Sequence, residues 1–395
     1  MTQIRIPAAF IRGGTSKAVV FRRQDLPGPA QWPAIFRAAL GSPDPSMRQL
    51  DGMGGGLSSL SKICVVGPSG REDADVDYTF AQVEVNGTTV DMSANCGNMS
   101  SAIGPFAVDE GLVPRPADGA TTVRVHNTNS GKIIHARFSV CDGEAVVDGD
   151  FAIPGVAGTG APVELSFRDP VGTLGTGLLP AGAARIDLVL PDGTTVAVTA
   201  VDAVTPAVFV SAAGIGADAT LSPSAIDADR ALMMRLEMIR RAASVAMGIA
   251  ADPDAAGRIL SIPKIAMVDA PADFTALDGS VTGAGTHDIA IRMISAGQAH
   301  RAVPITGALA LAAAATVPGG LVRDSLRDGA DLGRLRVATP SGVITVGADL
   351  SAEGEILSAN VMRTQRRLME GAVCLRRSAV EGRAAETPDA AKANG

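Results

Sequence analysis

The chain has 395 residues, of which 46% are hydrophobic, 3% are aromatic and 19% are charged, and its formal net charge is −7. This length is large for one hydrophobic core and indicates two domains, or two halves around a cleft. The acidic composition and the scarcity of aromatic residues exclude a typical nucleic-acid-binding protein, and no apolar run is long enough to predict a membrane segment.

The first third of the chain is predicted to contain two hairpins, one amphipathic helix and one apolar helix. Alternating polarity indicates the strands, and apolar residues at helical spacing before Gly41 indicate the first helix. The predicted segments are a strand over 3–12, a tip at Gly13–Lys17, a returning strand over 17–21, a helix over 30–40, a glycine-rich loop over 51–61, a strand over 62–66, a hairpin over 76–93 and a helix after Cys96.

The remainder of the chain is predicted to be rich in strands. Between about 121 and 210, short apolar runs alternate with Gly and Pro, which is typical of successive strands and turns. The later segments are one long amphipathic helix over 224–249, strands over 262–268 and 286–295, an apolar helix over 303–318 and further strands over 335–350 and 359–375.

Each half contains one helix that is apolar on all sides, one after Cys96 and one after Thr306. Such a helix has to be buried within a sheet. We therefore predict an α+β fold of two pseudo-equivalent lobes, each a curved, mostly antiparallel sheet around a central helix, with the active site in the cleft between them. The predicted boundaries are 1–118 plus about 360–380 for the first lobe, 119–359 for the second, and 381–395 for a flexible tail.

Cys96 precedes the first apolar helix, where free N–H groups and the helix dipole would stabilise a thiolate and lower its pKa. The alternative is a small structural residue at a helix start. The other cysteines, Cys64, Cys141 and Cys374, lie in apolar strands and are expected in the core. No CxxC pair occurs, so we expect reduced thiols and a cytoplasmic location.

Lys62 follows a loop rich in Gly and Ser and precedes an apolar strand. Desolvation at such a boundary would lower the pKa of the lysine toward the working range of a base. The alternative is an ordinary surface lysine.

Polar residues near both central helices are candidates for binding an anion, since helix N-termini and glycine-rich tips offer N–H groups. Gly97 would let a ligand approach the backbone, and the flanking amides could orient it. Most glycine-rich tips are only turns, and a lone histidine such as His300 is more often structural. The candidate binding residues are Arg12, Gly13, Gly14, Thr15, Ser16, Lys17, Ser58, Ser59, Asn95, Gly97, Asn98, His300, Arg301, Thr306, Gly307 and Ser341.

No sequence motif indicates a metal ion or an organic cofactor. His126, His135 and His287 have no ligand spacing, and neither HExxH nor an acidic cluster is found. No GxGxxG segment opens a helix after a strand, so a nicotinamide cofactor is not expected.

Several blocks in consistent order resemble the PrpF family, and the likeness extends to about residue 380. These blocks are FIRGGTSKAVVF, DGMGGGLSSLSK, ANCGNMSSAIGPFAVDEGLV, AHRAVPITGA and RTQRRLMEGAV. The resemblance implies a fold like that of diaminopimelate epimerase and no need for a metal or cofactor. Family members include isomerases of small unsaturated di- and tricarboxylates, of the 2-methylaconitate, methylitaconate and 4-oxalomesaconate types.

Diaminopimelate epimerase has a cysteine at the start of each central helix. Cys96 matches the first, whereas Thr306 or a neighbour replaces the second. The resemblance therefore implies a 1,3-allylic proton shift with Lys62 and Cys96 as acid and base, in an order left open. Leu57 and Leu60 make the serine loop more apolar than in related sequences.

Two alternatives stay open at this point. One is a non-catalytic accessory protein to a methylcitrate-pathway dehydratase. The other is a one-carbon epimerase, against which the missing second cysteine argues. Aconitate also belongs to the range of expected substrates, and apolar sheet edges would allow a homodimer.

Overall fold

The computed structural model describes residues 2–92, 95–259, 262–295 and 297–381, and it divides into two compact units. Unit 1 comprises Met1–Asp150, Gly160–Val163 and the chain from Thr364 on. Unit 2 comprises Phe151–Thr159 and Glu164–Arg363.

Unit 1 is a mixed sheet with one helix on each face. Its elements in chain order are β1 (Gln3–Gly13), β2 (Ser16–Arg22), α1 (Trp32–Leu40), β3 (Lys62–Pro68), β4 (Val76–Val83), β5 (Val90–Asp91), α2 (Gly97–Asp109), β6 (Gly119–Asn127), β7 (Lys132–Cys141) and β8 (Glu144–Ala145). The pairs β1–β2, β3–β4 and β6–β7 are antiparallel, whereas β2–β3 and β4–β6 are parallel.

Alternation along β3 gives its two faces different partners. Ile63 and Val65 join the apolar cluster around α1, which includes Trp32 and Phe36. Lys62 is at an alternate position and therefore belongs to the opposite face of the strand. Helix α2 is buried over most of its length and packs on β1, β6 and β7. This second face is where the candidate site lies.

Unit 2 contains the remaining elements, except the last helix and the part of the last strand from Thr364 on, which belong to unit 1. They are β9 (Pro162–Arg168), β10 (Ile186–Val189), β11 (Thr195–Ala203), β12 (Thr205–Ser211), α3 (Pro223–Ala228), α4 (Arg230–Ala246), α5 (Pro253–Arg258), β13 (Lys264–Asp269), β14 (Phe274–Thr275), β15 (Val281–Thr282), β16 (Ile289–Ser295), β17 (Gln298–Ala299), α6 (Ile305–Ala315), α7 (Leu321–Asp324), β18 (Leu335–Thr339), β19 (Gly342–Leu350) and β20 (Ile356–Arg376). Strand β20 returns the chain to unit 1, where α8 (Arg377–Glu381) follows.

The strand pairing of unit 2 repeats that of unit 1. The pairs β12–β13 and β16–β18 are parallel, and β13–β16 and β18–β19 are antiparallel. Helix α6 takes the place of α2 and is almost completely buried. The predicted α+β fold of two related units, each with a central apolar helix, is confirmed, and each sheet contains parallel as well as antiparallel pairs.

The chain passes from unit 1 to unit 2 near Asp150, which is later than the predicted boundary at 118. The reason is that β6 pairs with β4, and both β6 and β7 pack against α2. Most of the predicted tail, 381–395, lies outside the described residues.

The prediction of one helix over 224–249 is wrong, because the chain breaks at Asp229. This residue has an extended backbone (φ −84°, ψ 90°), and its side chain accepts a hydrogen bond from the Leu232 N–H at 3.0 Å. It thereby caps α4 and ends α3.

The expected core position is correct for Cys64 and wrong for Cys141 and Cys374, which are exposed. Strand alternation explains both differences. Val373 and Leu375 point into the core, so Cys374 between them points outward, and Cys141 follows the buried Val140 in the same way. Within the described ranges, no helix has both the length and the apolar character required to cross a bilayer.

Candidate active site

Lys62 is the first residue of β3 and is only 8% exposed. Its Nζ donates a hydrogen bond to Gln82 Oε1 at 2.6 Å and lies 4.9 Å from the centre of the Phe80 ring. Both partners come from β4, where Gln82 is directly opposite Lys62 in the antiparallel register. Strand pairing therefore places this ammonium group, which rules out an ordinary surface lysine.

A hydrogen-bond network fixes the orientation of Gln82 and the serine loop. Gln82 Nε2 donates to the carbonyl oxygens of Ser58 (3.0 Å) and Ser61 (2.9 Å), so its Oε1 is directed to Lys62. The buried Gln49 donates to Ser61 Oγ at 2.8 Å and accepts from the Gly56 N–H at 3.0 Å. These hydrogen bonds hold the loop before β3 against the side chains of Gln49 and Gln82.

Cys96 occupies the N-cap position of α2, with an extended backbone (φ −111°, ψ 96°). Its carbonyl oxygen accepts the first helical hydrogen bond, from the Ser100 N–H at 3.0 Å. The thiol is half-buried and forms no disulfide. The first-turn N–H groups of a helix have no intrahelical acceptor, so a negative charge beside them is stabilised.

Lys62, Cys64 and Cys96 belong to one local cluster. Burial raises the pKa of the Cys64 thiol well above its usual range, the neighbouring Cys96 raises it further, and Lys62 opposes the effect. Cys64 also contacts the Tyr78 hydroxyl, with Sγ and Oη 3.8 Å apart. Cys64 is therefore held as a neutral thiol, and Lys62 and Cys96 are the cluster members nearer to solvent.

The tip of the β1–β2 hairpin rests against the first turn of α2. Asn98 Nδ2 donates to Thr15 Oγ1 at 3.1 Å. A Cβ atom on Gly13 would lie 2.8 Å from the Asn98 carbonyl oxygen and 3.0 Å from Met99 Cα, so only glycine permits this approach. The predicted tip residues Gly13 and Thr15 thus lie beside the predicted helix-start residues Gly97 and Asn98.

Arg12 and Gly14 stabilise the tip from within unit 1. Arg12 Nη1 donates to the carbonyl oxygens of Gly14 and Thr364, each at 3.0 Å, and the Gly14 N–H donates to the same Thr364 oxygen at 3.0 Å. Burial and the nearby Arg366 lower the pKa of Arg12. The structure thus gives Arg12 a positioning contact with the tip.

The structure separates Lys17 from the other tip residues. Ser16 is buried, whereas the Lys17 ammonium lies 5.5 Å from the centre of the Phe10 ring, and Phe10 packs with the apolar cluster of α1. Successive residues of a strand point to opposite faces. Lys17 therefore lies on the face of β2 opposite Ser16.

Ser58 and Ser59 form the short turn before Lys62, and Asn95 precedes Cys96. Ser58 is exposed and Ser59 is half-buried, and the hydroxyls of both make no hydrogen bond within the described part of the chain. Asn95 Oδ1 accepts from Ser100 Oγ at 3.5 Å. These side chains can donate to a bound carboxylate without breaking an existing contact between described residues.

The second group of predicted site residues lies in unit 2. His300 and Arg301 are in the loop before α6, and Ser341 is in the turn between β18 and β19. His300 Nδ1 accepts the Ala302 N–H at 3.1 Å, and Ser341 Oγ donates to the Arg301 carbonyl oxygen at 2.6 Å. Burial lowers the pKa of His300. The Arg301 side chain is exposed.

Thr306 and Gly307 lie in the first turn of α6, and the N-cap residue is Pro304. Pro304 therefore has the position in unit 2 that Cys96 has in unit 1. The four cysteines of the chain are all outside 151–363, so unit 2 has no thiol at all.

Sequence reasoning missed Gln82 and Phe80, the two side chains in direct contact with Lys62. They lie about 20 residues further along the chain, and only the β3–β4 register brings them to Lys62. Among the described residues, one group of side chains has ligand spacing for a metal ion, namely Asp118, Cys141 and Asp142, all exposed. None of these was a predicted site residue.

The fold has two α+β units, and one of them has a lysine and a thiol beside its central helix. Comparison with known proteins identifies the family that has this fold. A model of the PrpF protein family matches residues 3–376. The chain is 39% identical over 383 residues to 2-methyl-aconitate isomerase of Cupriavidus necator, covering 93% of this chain and 96% of that protein. It is 37% identical over 374 residues to 3-methylitaconate isomerase of Eubacterium barkeri, with coverage of 94% and 97%.

The relatives also include 4-oxalomesaconate tautomerase of Pseudomonas putida, 37% identical over 380 residues, with coverage of 95% and 98%. The crystal structure of methylitaconate-delta-isomerase matches with a TM-score of 0.89 at 36% identity, covering 98% of this chain and 100% of that one. The chain belongs to the PrpF family.

Proposed function

We propose that this protein is a cofactor-independent isomerase of a small unsaturated di- or tricarboxylate. It moves a carbon–carbon double bond by a 1,3-allylic proton shift. The named relatives act on 2-methylaconitate, 3-methylitaconate or 4-oxalomesaconate, and these acids define the expected substrate class.

The observation that supports this proposal most is the cluster of Lys62 and Cys96. Lys62 is held at a buried boundary by Gln82, and Cys96 starts α2, close enough to influence the same neighbouring thiol. An amine and a thiol can each exchange a proton with carbon near neutral pH when they are positioned beside a substrate. A protein that only binds its partner needs neither.

In the proposed reaction, one of these two groups removes a proton from the allylic carbon of the substrate. The electron pair of the C–H bond enters the conjugated system and forms a dienolate, and the double bond shifts. The other group then donates a proton two carbons away, so the substrate neither gains nor loses electrons. Exchange with solvent returns both groups to their starting protonation states.

The surroundings of the cluster suit a carboxylate and an enolate. The first-turn N–H groups of α2 at Gly97 and Asn98 would stabilise developing negative charge. The serine hydroxyls of Ser58 and Ser59 and the tip at Thr15 would bind a substrate carboxylate. The reduced thiols fit work in the cytoplasm.

Proton NMR in D2O tests the proposed activity. The purified protein is incubated separately with cis-aconitate, trans-aconitate, 2-methylaconitate, methylitaconate and 4-oxalomesaconate, without added metal. We expect one acid to shift its double bond and to gain deuterium at the allylic carbon. If none exchanges while the protein is folded and Cys96 is reduced, and the protein instead co-purifies with a dehydratase, the accessory alternative is correct.

Lys62→Met tests the assignment of the lysine. It retains the apolar stem and removes the amine, so we expect loss of turnover by about 10³-fold, within the range for a general acid–base group, with an unchanged melting temperature. Lys132→Met, which removes the same charge from β7, is the matched control. Normal turnover by Lys62→Met would contradict the assignment.

A further inference from the structure

The internal repeat relates residues of the two units one by one. In unit 1, Asp75 forms an ion pair with Arg124 at 2.7 Å, and in unit 2 Asp288 pairs with Arg336 at 2.6 Å. The backbone contacts match as well, because each aspartate N–H donates to the carbonyl oxygen of its arginine at 2.8 Å. The two units can therefore be compared residue by residue, as well as element by element.

This correspondence pairs Lys62 with a second lysine, Lys264, which the sequence analysis did not single out. Each is the first residue of its strand, β3 or β13. The following residue is an isoleucine in both units. Ile63 pairs in parallel with Val19 and antiparallel with Ala81. Ile265 pairs in the same way with Val208 and Ile294.

Lys264 also faces the central helix of its unit. Ile265 and Met267 belong to the apolar cluster around α4, so Lys264 lies on the opposite face of β13. A Cβ atom on Gly307 would lie 3.7 Å from Lys264 Cδ. The lysine stem thus passes along the first turn of α6, as expected from the position of Lys62 near α2.

His300 lies beside the same first turn of α6. Because His300 Nδ1 accepts the Ala302 N–H, the neutral ring has its proton on Nε2, which is then a donor. The His300 N–H donates to the Met293 carbonyl oxygen at 2.8 Å, and Met293 Sδ and Lys264 Cδ both lie beside Gly307, so His300 and Lys264 border the same first turn of α6. Burial lowers the pKa of His300, and the Lys264 ammonium also lowers it. Burial also lowers the pKa of Lys264. A negative group between the Lys264 ammonium and the His300 Nε2–H would offset the burial of both groups and would counteract the lowering of both pKa values.

We propose that Lys264 and His300 form a carboxylate-binding site at the start of α6. The identity of that anion rests on the proposed function. Lys264 is thus proposed as a binding residue.

Isothermal titration with tricarballylate, a saturated tricarboxylate that cannot isomerise, tests this site on the full chain. We expect Lys264→Met to raise the Kd by about 10- to 100-fold, the range for one hydrogen bond to a charged group. Lys264→Arg should restore most of the affinity because it keeps the charge. Lys132→Met is the control, and thermal unfolding shows whether each variant is folded.

A second readout follows His300 directly. In wild-type protein, tricarballylate should raise the pKa of His300, measured by proton NMR of its ring with His300→Gln as the assignment control. In Lys264→Met this response should be much smaller. With the acid that the NMR experiment identifies as the substrate, Lys264→Met should raise KM more than it lowers kcat.

The outcomes separate this inference from the proposed function. If an acid is isomerised, and Lys264→Met has an unchanged KM and an unchanged Kd for tricarballylate, the carboxylate site is wrong and the isomerase stands. If no acid is isomerised, the proposed function fails, whereas loss of tricarballylate binding in Lys264→Met still supports the site. Folded Lys264→Met with wild-type tricarballylate affinity overturns the site in either case.

Discussion

The two units share one plan of strands and one buried helix, yet the residues at the helix starts differ. In unit 1, Cys96 is the N-cap of α2, and Lys62 is hydrogen-bonded to Gln82. In unit 2, Pro304 is the N-cap of α6, and Lys264 and His300 border its first turn. The repeated framework therefore positions a lysine twice, but a thiol only once.

The residues at the helix starts determine which chemistry each unit can contribute. A two-thiol mechanism needs a cysteine at both helix starts, and proline has neither an ionisable group nor an N–H donor. Unit 1 retains a pair of groups that can move protons. Unit 2 retains a pair that can hold negative charge. The asymmetry fits a 1,3-proton shift better than inversion at a single carbon.

After Lys62→Met, the largest predicted effect on turnover is that of Cys96→Ser. Serine is close to cysteine in size and is a favoured N-cap residue, but its hydroxyl ionises far less readily than a thiol. We expect turnover to fall by about 10²-fold or more, with the fold unchanged. Solvent exchange at the two allylic carbons, followed separately by NMR, should then be lost at one carbon.

The exposed cysteines supply the matched controls for that variant. Cys374→Ser and Cys141→Ser remove thiols of unit 1 that lie outside the cluster. Each should retain wild-type turnover. Equal activity losses in Cys96→Ser and Cys374→Ser would show that the helix-start thiol has no special role.

The next comparison sets Gly13 against Gly307. A Cβ atom on Gly13 would meet backbone atoms of α2, whereas one on Gly307 would meet Met293 Sδ at 2.3 Å, near the end of a flexible side chain. Overpacking against backbone costs about 1–3 kcal/mol. In α6 the higher helix propensity of alanine offsets about 1 kcal/mol of the strain.

We therefore expect Gly13→Ala to destabilise the protein more than Gly307→Ala, as measured by urea unfolding. Gly13→Ala should also lower turnover by about 10-fold, because it displaces the hairpin tip from Asn98, and a small misplacement of a site is costly. Equal losses of stability in the two variants would mean that the first turns of α2 and α6 adapt equally well.

A smaller effect on turnover is expected for Gln82→Leu. Gln82 positions Lys62 without taking part in proton transfer, so its loss removes the orientation of the amine but not the amine itself. We therefore expect kcat to fall by about 5- to 10-fold, which corresponds to about 1 kcal/mol. KM should change little, and Gln82→Asn should not restore the contact because its side chain is shorter. A rise in KM with unchanged kcat would assign Gln82 to substrate binding instead.

Much of the fold could be predicted because its signals are local. Alternating polarity located the hairpin of β1 and β2, and helical spacing with Gly41 located α1. The break at Asp229 was missed although its signal was present, since Ser222 followed by Pro223 starts one helix and Asp229 is a favoured cap for the next.

The site was less accessible to sequence reasoning because it depends on strand register. Lys62 and Cys96 could be selected from their local surroundings, but Gln82 could not. The face of Lys17 could have been inferred, because neighbours on a strand point to opposite sides. Lys264 had a weak signal, the likeness between SKICVV and PKIAMV, which becomes meaningful only once the strand pairing of both units is known.

The smallest effect expected on activity, and the one that tests the repeat itself, concerns the two matched ion pairs. The Asp288 side chain is 5% exposed and that of Asp75 is 29% exposed. Asp288→Asn should therefore lower the free energy of unfolding by about 1–3 kcal/mol, and Asp75→Asn by less, with turnover unchanged in both.

The pH dependence of that loss follows from the depressed carboxyl pKa. Burial alone would raise the pKa of Asp288, but hydrogen bonds from the Arg336 side chain and N–H hold it below the ordinary value of 3.8. The stabilisation is thus complete above the unfolded-state pKa and is lost as the pH falls through the folded-state pKa. Urea unfolding between pH 7 and pH 3 should show the difference between wild type and Asp288→Asn shrinking below about pH 4. A difference that stays constant over this range would mean that Asp288 contributes through packing rather than charge, and the two pairs would then match in geometry but not in energy.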